Sequence, residues 1–389
     1  MDSNFFETLI ERRNTGAVKW DYTGEVFGEK ELLPMWVADM DFPSPEPVQK
    51  ALTERIQHPV FGYTGPPSGI YDSIKGWMKK RQDWDVKKQW IMFSPGVVSS
   101  LATAIQALTN PGDKVMLQSP VYTPFFDMIR KNDREVVNSQ LSLTENRFTI
   151  DFSDFEDKLK NGVKLFLLCN PHNPGGRIWT KEELTHLGEL CHKYGVTIIS
   201  DEIHADLYLP PFNHVPIASL DERFAKQTVT LIAPSKTFNI AGLQSSVIIT
   251  ENPEYRAKLK AVQERNAFHG LNLFAMTAMD AAYREGGEWL TQLLSYIKQN
   301  VEITIEFIGR ELPDISCMYP EASYLIWLDC RKLGMSDEEL RKSLIQKGKL
   351  ALEPGPKYGP GGEGFVRMNI GCPRSVLMDG LQRLKKSFQ

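Results

Sequence analysis

Between Gln227 and Thr250 the chain carries one charged side chain, Lys236, although Asp, Glu, Lys and Arg make up 24% of its residues. The stretch runs Thr228-Val-Thr-Leu-Ile-Ala-Pro-Ser-Lys-Thr-Phe-Asn-Ile-Ala-Gly-Leu243. Its β-rich part, Val229 to Ala233, has the composition of a buried strand, and Pro234 stops it, which delivers Ser235 and Lys236 at the C-terminal end. Open α/β sheets bind their ligands at that end. A lysine in apolar surroundings loses hydration, its pKa falls, and the neutral amine becomes a nucleophile able to form a Schiff base. A core lysine whose ammonium reaches solvent along its stem is the other reading of this stretch, so the remaining sequence has to decide.

Composition narrows the partners. The 389 residues are 42% hydrophobic, enough core for one large domain plus a smaller one. A net charge of −4 gives no general attraction to nucleic acid or anionic membrane, and no basic run with interleaved aromatics supplies a local one. A small-molecule partner is expected instead. The five cysteines, Cys169, Cys191, Cys317, Cys330 and Cys372, are scattered, with no CxxC pair and no zinc-type histidine spacing. They read as free thiols of a reducing compartment, with no metal site. No basic or apolar leader pattern opens the sequence and no stretch is apolar enough to span a bilayer, so a cytoplasmic location is expected.

Residues 1–45 mix aromatics, Pro and acids without a sustained period and read as an arm laid on another surface, packing with a small C-terminal domain. Within it, Leu33-Pro-Met-Trp-Val-Ala-Asp-Met-Asp-Phe-Pro43 is dense in large apolar groups that would cover a cleft. Pro45 and Pro47 open a predicted helix through Ile56, and Phe61-Gly-Tyr-Thr-Gly-Pro-Pro67 reads as a loop. From Trp90 short apolar runs alternate with helix-length segments. Ile91 to Phe93, Val115 to Leu117, Leu165 to Cys169, Val196 to Ile199, Val229 to Ala233 and Val247 to Ile249 are predicted strands, with an amphipathic helix over Thr180 to Tyr194. That alternation predicts an α/β fold, a mostly parallel sheet covered on both faces, over residues 46–285. Longer helical segments and candidate strands Leu325 to Leu328 and Val366 to Ile370 make residues 286–389 a smaller α/β domain.

Several predicted strand ends deliver polar groups to one edge. One leads into Asn170-Pro-His-Asn-Pro-Gly-Gly176, another into Ser200-Asp-Glu-Ile-His204, a third into Ser235-Lys236. Asp201 alone reads equally well as a helix cap; beside a buried amine and an Asn-rich turn it reads as functional. Ser94-Pro-Gly-Val-Val-Ser-Ser100 follows a strand and opens a helix, a place where backbone NH groups and the helix dipole bind phosphate. Ser119-Pro-Val-Tyr-Thr-Pro-Phe125 places Tyr122 at the same edge as an aromatic lid. Gly359-Pro-Gly-Gly-Glu-Gly364 has a GxGxxG spacing but follows no clear strand and contains Pro360, so it is not a dinucleotide site. Arg367, in the apolar run Phe365 to Ile370, requires an anion or carboxylate partner.

Taken in order, Asn-Pro-His-Asn-Pro-Gly-Gly, Ser-Asp-Glu-Ile-His and Ser-Lys-Thr-Phe-Asn-Ile-Ala-Gly-Leu resemble the motifs of the fold-type-I enzymes that use pyridoxal 5′-phosphate (PLP), with the aspartate aminotransferase-like fold. The resemblance covers nearly the whole chain. It implies that Lys236 binds the cofactor covalently, Asp201 pairs with the pyridine nitrogen, Asn173 meets the ring oxygen and Tyr122 stacks on the ring. It also implies phosphate binding by Gly96, Val97, Val98 and Ser235, and substrate-carboxylate binding by Arg367. Trp36-Val-Ala-Asp-Met-Asp-Phe42, Phe61-Gly-Tyr63 and Asp-Glu-Ile-His204 are similar to a narrower branch, the MalY/PatB-type, cystathionine β-lyase-like carbon–sulfur lyases. His204 stands where many aminotransferases have Tyr, and Gln244 where they place a phosphate-binding Arg. This branch implies β-elimination of a thiol from a cysteine conjugate such as cystathionine, with Trp36 and Phe42 walling the substrate. It further implies a homodimer in which Tyr63 reaches the neighbouring subunit's cofactor. An aminotransferase, or a regulatory protein on the same fold with incidental catalysis, are the alternatives.

Overall fold

The structure, a computed structural model, describes residues 5–389, so the first four residues of the expected arm lie outside the described residues. Its central feature is a seven-stranded sheet. In chain order the strands are β1 (Ile91–Ser94), β2 (Lys114–Leu117), β3 (Glu135–Asn138), β4 (Val163–Cys169), β5 (Thr197–Asp201), β6 (Thr228–Ile232) and β7 (Ser246–Ile249). Across the sheet they lie in the order β1-β7-β6-β5-β4-β2-β3. Only β7 is antiparallel to its neighbours. The six predicted strands are present, shifted by a residue or two; β3 is the addition. Its partly exposed edge position lets it carry Glu135 and Asn138, so it contains no apolar run longer than Val136-Val137.

Alternation along the strands fixes both faces. Leu165 and Leu167 of β4 pack with Val97, Leu101 and Ile105 of the helix Val97–Leu108. Phe166 and Leu168 point the other way, onto Leu184 and Leu187 of the helix Lys181–Tyr194. That second helix starts where the sequence predicts because Thr180 and Glu183 form a reciprocal capping box, and it stops at Gly195 in the left-handed conformation.

A second sheet of four antiparallel strands gathers Ser316–Cys317, Leu325–Asp329, Phe365–Asn369 and Glu353–Pro354, in that spatial order. The 25-residue helix Gly287–Glu311 leads into it from the first sheet. The Leu33–Pro34 strand of the arm pairs in parallel with Leu350–Ala351. One apolar core runs from Phe6 and Phe42 of the arm through Trp77, Phe238 and Trp289 to Ile326 and Leu381. Among the described residues no helix is long and apolar enough to cross a membrane, and all five cysteines are unpaired.

The arm is tied to the Lys236 turn by one side chain. Asn239 accepts from Met40 N (3.0 Å) and donates to Met40 O and Phe42 O (both 2.8 Å), from a left-handed backbone (φ 56) that Asn tolerates. Replacing Asn239 by Ala removes three hydrogen bonds and leaves a side chain that disfavours this backbone, a loss of about 2 kcal/mol or more. Amide hydrogen exchange at Met40 is therefore expected to accelerate by more than about tenfold in Asn239→Ala.

Candidate active site

The registers of β4, β5 and β6 bring three chain ends to one edge. Cys169 pairs with Asp201, and Asp201 with Leu231. Just beyond, Asn170 N donates to Asp201 O (3.0 Å) and Glu202 N to Leu231 O (2.8 Å), which prolongs the ladders into the loops. The Asn170–Gly176 turn closes on itself through His172 N to Arg177 O and Gly176 N to His172 O, each 2.7 Å. Gly176 is required there: its φ is 68, and a Cβ would lie 2.9 Å from Pro320 and 3.0 Å from Ala322 O.

A cavity of about 540 Å³ opens at this edge. Gly96, Val97, Val98, Tyr122, Asn173, Asp201, His204, Ser235, Lys236 and Arg367, all expected from the sequence, line it together with Gln244. Lys236 Nζ donates to Ala38 O at 2.6 Å, and Tyr324 Oη donates to the same carbonyl at 3.1 Å. Arg367 donates from Nη1 to Asn173 Oδ1 (3.1 Å) and from Nη2 to Trp36 O (2.8 Å), while its Nε is buried without a partner. Its guanidinium lies 5.4 Å from the Tyr358 ring centroid. Asn173 is held further by Tyr122 N, which donates to its carbonyl at 3.1 Å. The N-terminus of the helix Val97–Leu108 has no side-chain cap, so its first NH groups face the cavity side unclaimed.

Burial sets the protonation of the site. It lowers Lys236 to about 8, assisted by the Arg367 cation and opposed by Asp39 and Asp201. Burial likewise raises Asp201 to about 7; the Ile203 NH, which donates to its Oδ1 at 3.1 Å, works against this, the Glu202 carboxylate adds to it, and Lys236 opposes it. His204 is depressed to about 3 by burial and by the Lys236 and Arg367 cations, which makes it a neutral imidazole. Burial, with Asp201 nearby, pushes Tyr122 up to about 12, so its phenol stays protonated. Asp201 is thus a carboxyl group whose ionised form calls for a cation in the cavity.

Three expected residues are elsewhere. The Trp36 ring does not line the cavity: it packs against Phe27 at 5.3 Å beside Leu32 and Ala351, and its Nε1 donates to Lys19 O (3.0 Å). What Trp36 offers the site is its main-chain carbonyl. Phe42 is equally turned away, into Phe6 and Tyr296 at 5.2 and 5.5 Å. The apolar lining comes instead from Val37, Ala38, Tyr122, Ile203 and Ala241. Tyr63 is fully exposed on the Gly- and Pro-rich loop before the helix Ile70–Gln82 and does not reach the cavity of its own chain.

Two lining residues were missed. Ser245 Oγ is buried and unpartnered at the cavity, and its neighbour Gln244, in a left-handed turn (φ 54), had drawn attention only as a missing arginine. Glu353 lies directly across the ladder from Arg367, and its Oε2 is 3.8 Å from Arg367 Nη2. A two-residue strand gave it no periodic signal.

The Aminotransferase class I and II family matches residues 31–384. The chain belongs to this family. It is 53% identical over 384 residues to cystathionine beta-lyase PatB of Bacillus subtilis strain 168, covering 98% of this chain and 99% of that protein. Among solved structures, cystalysin from Treponema denticola, which contains a pyridoxal 5′-phosphate cofactor, aligns with a TM-score of 0.94 at 37% identity over 98% of both chains. The PLP-bound C-S lyase from Staphylococcus hominis aligns at 0.92 and 34% identity, over 98% of this chain and 97% of that one. Family membership and these alignments establish the aminotransferase-like fold expected from the motifs.

The depressed pKa of Lys236 is directly measurable. In cofactor-free protein, acetic anhydride labelling of Lys236, followed by peptide mass spectrometry across a pH series, should titrate near 8, well below the ordinary lysine value of about 10.4. A midpoint at the ordinary value would show that the amine is not desolvated.

Proposed function

We propose that the protein is a PLP-dependent carbon–sulfur β-lyase acting on L-cystathionine or related cysteine S-conjugates. Water and the conjugate yield a thiol, pyruvate and ammonium. The observation that carries this reading is the charge inventory of the cavity: among the described residues its only lining cations are Lys236 and Arg367, and a carboxylate, Glu353, stands beside the arginine. One carboxylate of an amino acid finds a partner there. The side-chain carboxylate of aspartate or glutamate, unlike the distal end of cystathionine, brings no ammonium with it; it finds no additional arginine and meets Glu353 instead, which disfavours the aminotransferase alternative. A thioether suits the Val37, Tyr122 and Ile203 lining.

The donor set fits PLP. Asp201 is a buried carboxyl group in need of a cation, Ser245 Oγ and the first NH groups of the helix Val97–Leu108 are unclaimed, and Lys236 is an amine lowered to about 8. In this reading Lys236 holds the cofactor covalently, Asp201 its ring nitrogen, Asn173 and His204 its oxygen-bearing side, and Tyr122 its face. Gly96, Val97, Val98, Ser235 and Ser245 hold the phosphate, with Gln244 supplying neutral polarity where a charge is absent. When bound, the cofactor withdraws electrons from Cα of the substrate.

The chain's own residues do the rest. Arg367, fixed by Asn173 and the Trp36 carbonyl, orients the α-carboxylate. Lys236, released when the substrate's own amine takes its place on the cofactor and lowered to about 8 so that a fraction of it is neutral near neutral pH, takes the proton from Cα and returns one to the departing sulfur. A thiol, with a reference pKa of about 8.5, leaves with little further help. His204 stays uncharged and so does not compete with the cofactor's ring nitrogen as the cationic partner of Asp201.

We also read the protein as a cytoplasmic homodimer with shared sites. Supporting this are the free cysteines and the exposed Phe61 and Tyr63, which share a surface cleft with residues 267–274. Tyr63 would then serve the cavity of a second copy. Mixing inactive Tyr63→Phe protein with inactive Lys236→Ala protein should restore part of the activity, because some mixed dimers hold one intact site. No recovery despite subunit exchange would remove Tyr63 from the site.

The central test is chemical. Purified protein should be yellow, and borohydride should fix the cofactor irreversibly on Lys236 in a peptide map. It should release pyruvate from cystathionine without any added 2-oxo acid, whereas Lys236→Ala should fold and show no turnover. Amino transfer that requires a keto-acid acceptor and releases no thiol would overturn the lyase reading.

A further inference from the structure

Glu353 is left without a task by the chemistry above. It is 6% exposed and lines the cavity. Its Oε1 accepts from Lys357 Nζ, while Oε2 accepts no hydrogen bond among the described residues and lies 3.8 Å from Arg367 Nη2. It does not set the arginine's geometry, since Asn173 Oδ1 and Trp36 O already hold both terminal nitrogens at 3.1 and 2.8 Å. The cross-strand register Glu353 to Arg367 places both side chains on one face of the small sheet, toward the same space.

We propose that Glu353 is the subsite for a cationic group at the far end of the thioether substrate, and so selects cysteine conjugates whose sulfur substituent carries an ammonium. The inference rests on the lyase reading, in which Arg367 takes the α-carboxylate. Once that carboxylate is bound, two anionic groups share one guanidinium. An ammonium on the distal arm of the substrate, alone or beside a carboxylate as in cystathionine, relieves the crowding by donating to Oε2; a neutral alkyl arm leaves Oε2 desolvated and unpaired, and an arm with a carboxylate and no ammonium adds a like charge. Lys357 does not fill this place, because it is half-exposed and engages the other oxygen.

The test compares two conjugates of nearly equal shape, S-(2-aminoethyl)-L-cysteine and S-propyl-L-cysteine, on the holoenzyme. The wild type should favour the aminoethyl compound by about tenfold or more in kcat/KM, mainly through KM, since the distal contact is made before and during the reaction alike. In Glu353→Gln that ratio should fall toward one, and in Glu353→Asp it should be partly retained. A residue acting only on folding or on Arg367 would lower both substrates together and leave the ratio unchanged, which would overturn the proposal. A wild type that prefers the propyl compound, or shows no preference, overturns it without any variant. Were neither conjugate to release thiol and pyruvate, the lyase reading would fall, and the same ratio taken from calorimetric Kd values on the holoenzyme would still decide the role of Glu353.

Discussion

A partly buried amine must be held by an acceptor, and here the acceptor is a main-chain carbonyl, Ala38 O, reached from both Lys236 and Tyr324. The arm segment that carries it cannot drift without releasing the lysine. It is pinned from the Lys236 side by Asn239 and from the C-terminal sheet by Asn369, whose Nδ2 donates to Val37 O and Asp39 O at 2.6 Å each. Beneath it, Asp41 gathers Lys19 (2.7 Å), Arg12 (2.6 Å) and Trp20 Nε1 (2.9 Å). Burial alone would raise the Asp41 carboxyl, but the cations of Lys19 and Arg12 hold it below the ordinary carboxylate value. An ionised group so deep is stable only because each oxygen has a charged partner. The acids and aromatics that made this stretch look irregular in sequence are thus the clamps of a strap lying between the two sheets.

The same strap explains what could and could not be seen beforehand. Strand ends are legible because an apolar run followed by Pro, Asn or Ser marks where a parallel sheet delivers side chains. Lys236, Asp201, Asn173 and Ser235 were found by that rule and the cavity gathers them. The Val97 helix start and Tyr122 follow from the same logic, whereas Arg367 stands out as a guanidinium inside an apolar strand that needs an anionic partner. Trp36 and Phe42 failed because a dense apolar segment announces burial without saying which face of it meets the cleft. In this strap the rings turn into the core, and the peptide groups of Trp36 and Ala38 face the site. A functional carbonyl leaves no mark on the residue type. Glu353 and Ser245 stayed hidden because neither sits at the end of a predicted strand.

Tyr63 illustrates a different limit. Its loop is rich in Gly and Pro, its ring is fully exposed, and within one chain nothing assigns it a role. The motif that singled it out belongs to the resemblance, and composition or period would have left it as an exposed ring. Such a residue acquires meaning only with the assembly, which is why its test mixes two chains.

The electrostatics of the cavity bear on why elimination can prevail over amino transfer on one fold. Removal of the Cα proton is common to both outcomes, and the fate of the electrons depends on what occupies Cβ and where protons can return. With Asp201 committed to the cofactor's ring nitrogen, the neutral His204 and the protonated Tyr122 leave the depressed Lys236 as the lining side chain free to exchange a proton near neutral pH. A proton carrier that reaches the departing sulfur would favour release of the thiol over a competing protonation elsewhere. Arg367 cannot take that part, because a guanidinium does not give up its proton. Its neighbour Glu353 shapes which substituent enters, so the residues that choose the substrate and the residue that moves the proton stand at opposite sides of the same charge inventory.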